Sequence, residues 1–194
     1  MDMKKILIGT HNQGKFKEIS SLISKKYRKI SPNKLKLKSP KETGKTFVSN
    51  SKLKAEYFSN YVDYPVVSDD SGLCIRSLNN QPGVFSARLA NKYGSFYKAM
   101  KYLLKRLKNK KNRSAFFVCS LSFKPKKGRT VSVLGKVEGT ISNKIAGNRG
   151  FGYDPIFIPK NHKKTFGQMF KLKKVKIDHR YMAFKKLKKK IKIL

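Results

Sequence analysis

The opening of the chain constrains the fold most, because a short apolar run stands directly before a helical pattern. The run Lys4–Thr10, KKILIGT, predicts a buried strand. After the polar turn HNQG, the apolar residues that follow Lys15, such as Phe16 and Ile19, recur at helical spacing. A strand, a tight turn and a helix in this order are typical of α/β proteins.

Two long strand-like stretches indicate that the sheet is not purely parallel. SAFFVCSLSF and RTVSVLGKVEGTI are separated by the turn region KPKKG, which predicts a hairpin. The predicted fold class is therefore α/β, with a mixed central sheet and flanking helices. The length of 194 residues predicts a single domain over residues 1–194.

The remaining elements follow from the same patterns. Helices are predicted at 46–62, with Thr46 as N-cap, at 93–110 and at 182–194. Alternation of Leu35 and Leu37 with lysines predicts an exposed strand, and YPVVS and GLCIRSL predict separate strands before and after an acid pair. Residues 79–91 and 145–155 contain Gly and Pro and are predicted to be loops.

The chain is strongly basic, with 47 Lys and Arg against 10 Asp and Glu and a net charge of +37. Such a charge is compatible with nucleic-acid binding. However, 39 of these residues are Lys and 8 are Arg, and they are spread along the chain, whereas readers of phosphates and bases favour Arg. We therefore attribute the charge to compositional bias and expect only non-specific binding of nucleic acid.

Two further features bear on location. No run of about 18 apolar residues is present, so we expect no membrane span. Cys74 and Cys119 are isolated and lack CxxC spacing, which favours reduced core residues of a cytoplasmic protein over a disulfide.

Because acids are scarce, the adjacent Asp69 and Asp70 in SDDSGL require an explanation. Two carboxylates in contact repel unless they share a cation. One interpretation is a Mg²⁺ site, since Mg²⁺ binds one or two carboxylates and completes its shell with water and phosphate oxygens. Alternatively, one carboxylate accepts a proton from an attacking water, or one Asp only caps a turn.

The pattern TxNxxK at Thr10, Asn12 and Lys15 lies between the predicted strand and helix. The start of a helix offers unpaired backbone N–H groups and a partial positive charge, which suit a phosphate. The alternative is a capped helix with an incidental lysine.

Two later segments carry groups that suit a flat heterocycle. In GNRGFGYDP, Phe151 and Tyr153 offer ring faces and Asp154 offers an acceptor, although a tight loop with buried aromatics has the same composition. In DHRYMAF, at the head of the last helix, His179 and Arg180 offer donors to a carbonyl oxygen or a phosphate, although capping by Asp178 and surface charge alone also explain the segment. Together with the preceding motifs, these segments describe a nucleoside triphosphate site.

Six segments in register resemble the motifs of the inosine/xanthosine triphosphate pyrophosphatases. They are GTHNQGKFKEI, ETGKTFVSNSKLKA, SDDSGLCI, PGVFSARLA, GFGYDPIFIP and DHRYMAFKKL, and the resemblance runs from Lys4 to Leu187. It implies Mg²⁺-dependent hydrolysis of ITP, dITP and XTP to the monophosphate and pyrophosphate, which sanitises the nucleotide pool. It also implies an elongated fold with two lobes around a nucleotide cleft, and a homodimer.

The resemblance assigns a role to individual residues. Asp70 matches the catalytic proton acceptor and metal ligand, with Asp69 and Glu42 as further metal ligands. His179 and Arg180 match the pair that recognises the 6-oxygen of the purine, a group that adenine lacks. The residues that match substrate-binding positions are Thr10, His11, Asn12, Gln13, Gly14, Lys15, Ser71, Phe151, Gly152, Tyr153, Asp154, Lys174, His179 and Arg180.

The sequence departs from the family pattern at four positions. His11 replaces a Gly of the phosphate loop, and Asp178 replaces a Ser before the His-Arg pair. Lys41 and Ser49 replace two acids, which leaves Glu42 and fewer acids around the metal. Two alternatives remain, namely a Maf-type nucleotide pyrophosphatase acting on modified pyrimidines and a lysine-rich nucleic-acid-binding protein without catalysis.

Overall fold

A computed structural model describes residues 3–191 of the chain. Its strands are β1 (Lys4–Ile8), β2 (Tyr27–Ile30), β3 (Val66–Ile75), β4 (Gln81–Pro82), β5 (Ser114–Lys124), β6 (Val131–Ile141) and β7 (Phe157–Pro159). Its α-helices are α1 (Gln13–Leu22), α2 (Phe47–Ser59), α3 (Ser86–Lys92), α4 (Phe96–Arg106), α5 (Lys171–Val175) and α6 (His179–Lys190). None of the helices in this part of the chain is both long and apolar enough to cross a membrane.

The strands form a mixed sheet, as the sequence predicted. Their order is β2-β1-β3-β5-β6-β7, and β4 pairs with β3. Strand β1 is parallel to β2 and to β3, whereas β4 is antiparallel to β3 and β7 is antiparallel to β6. The prediction of an α/β fold with a mixed sheet and flanking helices is confirmed.

The described chain divides into two compact units. The first contains residues 3–70, 119–135 and 180–191, and the second contains Ser71–Val118 and Lys136–His179. Buried residues of β1, α1, β5 and α6, among them Ile6, Ile19, Leu121 and Phe184, form a core of the first unit. Leu73, Leu103, Ile156, Phe157 and Phe166 belong to the core of the second. The single domain over residues 1–194 stays a prediction.

The predicted exposed strand at Leu35 and Leu37 is wrong. Residues Pro32–Leu35 form a 3₁₀ helix instead. The Ser31 hydroxyl accepts the Lys34 N–H at 3.4 Å, and Pro32 stands at the first helical position. These are start signals of a helix, and they prevail over the alternation of leucine and lysine.

The two strands predicted around the acid pair are one strand, β3. Gly72 does not interrupt it, because the absence of a side chain lets the strand lie close to the backbone of Gly83. A Cβ at Gly72 would collide with the carbonyl oxygen of Gly83. Asp69 and Asp70 therefore lie inside a strand and not at its end.

Other boundaries also differ from the predictions. The predicted loop 79–91 contains β4 and α3, and the short helix α5 was not predicted. The last helix begins at His179, as expected for Asp178 as its N-cap, although the apolar periodicity placed its start at residue 182; the part of that prediction beyond Ile191 lies outside the described residues. Cys74 and Cys119 are buried and are not bridged, as predicted.

Candidate active site

The turn after β1, in the first unit, is shaped by its own side chains. Asn12 caps α1, and its Oδ1 accepts the backbone N–H of Lys15 at 3.0 Å. The N–H of Asn12 donates to Thr10 Oγ1 at 3.3 Å. Gln13 and Gly14 are the first residues of the helix. The predicted phosphate-binding residues thus lie in one turn at a helix N-terminus, where backbone N–H groups suit an anion.

His11 ties this turn to a second segment of the first unit. Its Nε2 donates to the carbonyl oxygen of Leu37 at 2.9 Å, and its Nδ1 lies 2.6 Å from Ser39 Oγ. Since Nε2 carries the proton in this tautomer, the Ser39 hydroxyl donates to Nδ1. Within residues 3–191, the non-glycine residues with positive φ are Lys36, Asn79, Asn80 and Asn161. His11 is not among them, so the backbone here does not require a glycine.

Asp69 is surrounded by protein cations. It is fully buried, with Lys15 Nζ at 3.2 Å from its Oδ2 and Arg180 Nε at 3.7 Å from the same atom. Arg180 in turn donates from Nη1 to Glu18 Oε2 at 2.8 Å, and both of these side chains are buried. The chain itself therefore supplies positive charge to this carboxylate.

Asp70 has a different environment from its neighbour. It is also buried, and its Oδ2 accepts a hydrogen bond from Asn50 Nδ2 at 3.0 Å. Asn50 lies on α2, one turn before Lys54, whose Nζ lies 2.5 Å from Glu42 Oε1. Helix α2 is held at its start by a capping box of Thr46 and Ser49, which confirms the predicted N-cap.

These environments separate the two aspartates chemically. Burial raises the pKa of Asp70, and the charges of Lys54 and Lys15 and the Asn50 hydrogen bond only partly oppose it. Burial also acts on Asp69, yet the charges of Lys15, Arg180 and Lys54 hold the pKa of that carboxyl below its ordinary value. Asp69 is thus the stronger acid of the pair, and Asp70 is the stronger base.

Lys54 was missed by the sequence analysis. Burial opposes its charge, but Asp69, Asp70 and Glu42 outweigh this effect and raise the pKa of its ammonium. No sequence pattern identified it, because residues 50, 51, 54, 55 and 58 form the buried face of α2 and only two of these five are apolar. A lysine on a buried helical stripe needs carboxylate partners.

In the second unit, Asp154 and Lys174 form a buried ion pair. Lys174 Nζ lies 2.6 Å from Asp154 Oδ2, which also accepts the backbone N–H of Phe151 at 2.9 Å. The same ammonium lies 5.1 Å from the ring centroid of Phe151, in a cation–π arrangement. Gly150 leaves room for this pair, since a Cβ there would collide with the Asp154 carboxylate.

Tyr153 lies in the core of the second unit. Its hydroxyl donates to the carbonyl oxygen of Ser86 at 2.9 Å, and its ring packs edge-on against Phe96. Gly152, just before it, has a φ of +67°, a conformation that favours glycine. Ser71 is half-buried on β3. Phe151 is partly exposed, in contrast to the buried Tyr153.

His179 begins α6 and is 2% exposed. Its imidazole stacks on Phe117 with a centroid separation of 4.7 Å and an interplanar angle of 10°. Asp178, immediately before it, is buried, and its backbone N–H donates to the Lys174 carbonyl at 3.0 Å. His179 and Lys174 are thereby joined through one short segment of the second unit.

Comparison with known proteins places these residues in a family. The sequence profile of the Ham1 family matches residues 6–190. The chain belongs to the Ham1 family. The resemblance drawn from the six motifs is thereby confirmed, and the Maf-type alternative is left without support.

Ham1 relatives match over nearly the whole chain. The dITP/XTP pyrophosphatase of Caulobacter vibrioides is 41% identical over 95% of this chain and 96% of its own, and that of Clostridium perfringens is 38% identical over 98% of each. Among solved structures, the Staphylococcus aureus Ham1 protein has a TM-score of 0.86 at 36% identity, covering 97% of this chain and 98% of its own. A HAM1 protein from Coxiella burnetii has a TM-score of 0.86 at 32% identity, covering 96% and 98%.

The carboxylates suit a hard cation that brings most of its own ligands. Among residues 3–191, no group of three or more His, Cys, Asp or Glu side chains is arranged to hold a metal. Asp69 and Asp70 nevertheless offer the one or two carboxylates that Mg²⁺ uses when substrate phosphates and water complete its shell. Glu42, the third predicted ligand, pairs with Lys54. The donor set therefore fits an ion delivered with a polyphosphate.

Proposed function

We propose that this chain hydrolyses noncanonical purine nucleoside triphosphates, such as dITP, ITP and XTP, to the monophosphate and pyrophosphate. The observation that carries the proposal is the pair of adjacent buried aspartates in unlike environments, one held as an anion by Lys15 and Arg180 and one with a raised pKa. The names of the Ham1 relatives, dITP/XTP pyrophosphatases, support the choice of substrate.

In the proposed reaction, Asp70 accepts a proton from a water molecule as the water oxygen bonds to the α-phosphorus. The bond from that phosphorus to the oxygen bridging to the β-phosphate breaks, and pyrophosphate leaves with the electron pair. The turn Thr10–Lys15 binds phosphate through backbone N–H groups and the Lys15 ammonium. Asn50 orients the Asp70 carboxylate through its hydrogen bond.

Mg²⁺, held by Asp70 and Asp69, would neutralise the triphosphate and polarise the reacting phosphorus. Glu42 would add negative charge for this ion while its carboxylate stays paired with Lys54. Lys54 also keeps the carboxylates charged in a buried environment, so that they stay competent to bind a cation.

The purine would be recognised by donors aimed at its 6-oxygen. His179 and Arg180 carry such donors, and adenine presents an amino group at that position, which would leave a donor unpaired. Phe151 and Asp154 would line the base pocket, and Lys174, paired with Asp154, would contact the substrate. Gly152 gives this loop its left-handed conformation, and Ser71, directly after the catalytic base Asp70, would contact the substrate.

A pyrophosphate-release assay tests the proposal. The native protein with Mg²⁺ is expected to turn over ITP, dITP and XTP well above GTP and ATP, and Asp70→Asn is expected to lose at least about 10²-fold in rate. The matched control is Asp63→Asn, an exposed aspartate of the same unit that lies 3.6 Å from Lys126 and that should keep native activity. Retention of most activity by Asp70→Asn, with native circular dichroism, would refute the catalytic assignment.

The proposal also covers the assembly and the charged surface. We propose that the protein is cytoplasmic and forms a homodimer. Light scattering coupled to size-exclusion chromatography measures the molar mass and so tests the dimer. Non-specific attraction of nucleic acid is expected from the net charge of +37. Tight RNA binding that falls steeply with salt, without turnover of any of the five triphosphates, would favour the nucleic-acid-binding alternative instead.

A further inference from the structure

The imidazole of His179 rests on a small aromatic cluster of the second unit. Phe117, on β5, lies face to face with it, with ring centroids 4.7 Å apart and planes within 10°. Phe117 is itself packed against two further rings, since Phe157 meets it edge-on at 4.6 Å and Phe166 stacks on it at 6.2 Å. All three phenylalanines are buried.

This packing fixes the plane of the imidazole. The N–H bonds of an imidazole lie in the plane of the ring, so the plane decides where its donors point. A hydrogen bond weakens steeply when the angle at its hydrogen falls below about 120°. A ring that tilts freely would therefore lose much of its ability to distinguish an acceptor from a donor on the purine.

We propose that Phe117 is a positioning residue for purine selectivity, because its flat face holds the His179 ring in the orientation that reads the 6-oxygen. The inference rests on the proposed function, since it deepens the role of the same histidine. Phe117 acts through His179 and need not touch the substrate.

The first test is a double-mutant cycle read out as a ratio, kcat/KM for ITP divided by kcat/KM for ATP. Phe117→Leu removes the flat face but keeps an apolar side chain, and it should lower this ratio about 3- to 10-fold. In the His179→Ala background the same substitution should leave the ratio unchanged, because the ring it positions is gone. Phe123→Leu, a buried phenylalanine of the same strand in the core of the first unit, is the matched control and should leave the ratio unchanged.

The second test does not depend on activity. The chain has three histidines, so the imidazole protons of His179 can be assigned by NMR. The ring current of Phe117 should shift them upfield in the native protein, and they should move downfield in Phe117→Leu but not in Phe123→Leu. If Phe117→Leu does not fold, Phe117→Met is used in both tests.

The results separate this inference from the proposed function. Unmoved His179 resonances in Phe117→Leu overturn the inference whether or not the enzyme is active. An equal fall of the ratio in the His179→Ala background, or an equal fall in Phe123→Leu, overturns it as well. If the native protein hydrolyses no noncanonical triphosphate, the proposed function is overturned. The NMR result then still tests whether Phe117 positions the His179 ring.

Discussion

Replacing Lys54 by methionine should destabilise the protein through the carboxylates that this lysine faces. The Lys54 side chain is 8% exposed and that of its partner Glu42 is 32% exposed, with 2.5 Å between their charged atoms. Removing one member of a fully buried pair costs about 3–5 kcal/mol of unfolding free energy. Because Glu42 retains access to water, we expect a loss of about 2–3 kcal/mol at neutral pH.

The pH dependence identifies the cause of this loss. Burial already raises the pKa of Asp70 above its unfolded-state value, and loss of the opposing Lys54 charge raises it further, so the folded variant binds more protons than the unfolded state. The variant is then destabilised most above this raised pKa, and protonation relieves the loss as the pH falls through it. The difference between native protein and Lys54→Met should therefore shrink between pH 7 and pH 5.

Urea unfolding at both pH values measures the effect. Lys52→Met is the matched control, because Lys52 lies on the same helix, its side chain is 54% exposed, and its pair with Glu56 at 3.8 Å is also exposed. This control should stay within about 0.5 kcal/mol of the native protein at either pH. A loss in Lys54→Met no larger than that of the control, or one that grows towards pH 5, would contradict the role given to Lys54.

Two further predictions concern the same unit. Replacing His11 by glycine should lower the free energy of unfolding by about 1–2 kcal/mol and speed amide hydrogen exchange in residues 36–40, because the hydrogen bonds to Leu37 and Ser39 are lost. Unchanged exchange in these residues would contradict a stabilising role for the two hydrogen bonds. Burial raises the pKa of Asp70, and its ionised form is the proposed base. Therefore log kcat/KM should fall with unit slope as the pH drops below that pKa. A rate that stays constant towards acidic pH would be evidence against Asp70 as the base.

Local patterns predicted those parts of the fold that depend on neighbouring residues. The first strand and helix, the helix begun by Thr46 and the long hairpin follow from periodicity and capping. The strand expected at Leu35 failed because Ser31 and Pro32 start a 3₁₀ helix. The break expected at Gly72 failed because its missing side chain admits a neighbouring carbonyl and does not end the strand.

The site could be predicted by residue type but not by pairing. The motifs identified Asp69, Asp70 and Lys15 as site residues. They predicted, however, that a metal ion supplies the positive charge that the two aspartates need. The structure adds the pairing of Arg180 with Asp69 and with Glu18, which is 162 positions away, and no local pattern reports contacts over that separation. The stack of His179 on Phe117 escaped prediction for the same reason.

The burial of acids gives this protein an unusual response to ionic strength. Among the described residues, the buried acidic side chains are Glu18, Asp69, Asp70, Asp154 and Asp178. Their attraction to cations takes place away from solvent and is screened little, whereas repulsion among the many surface lysines is screened within about 8–10 Å at physiological salt. Dissolved salt therefore weakens mainly the forces that oppose folding, and a chain with a net charge of +37 should be a halotolerant protein.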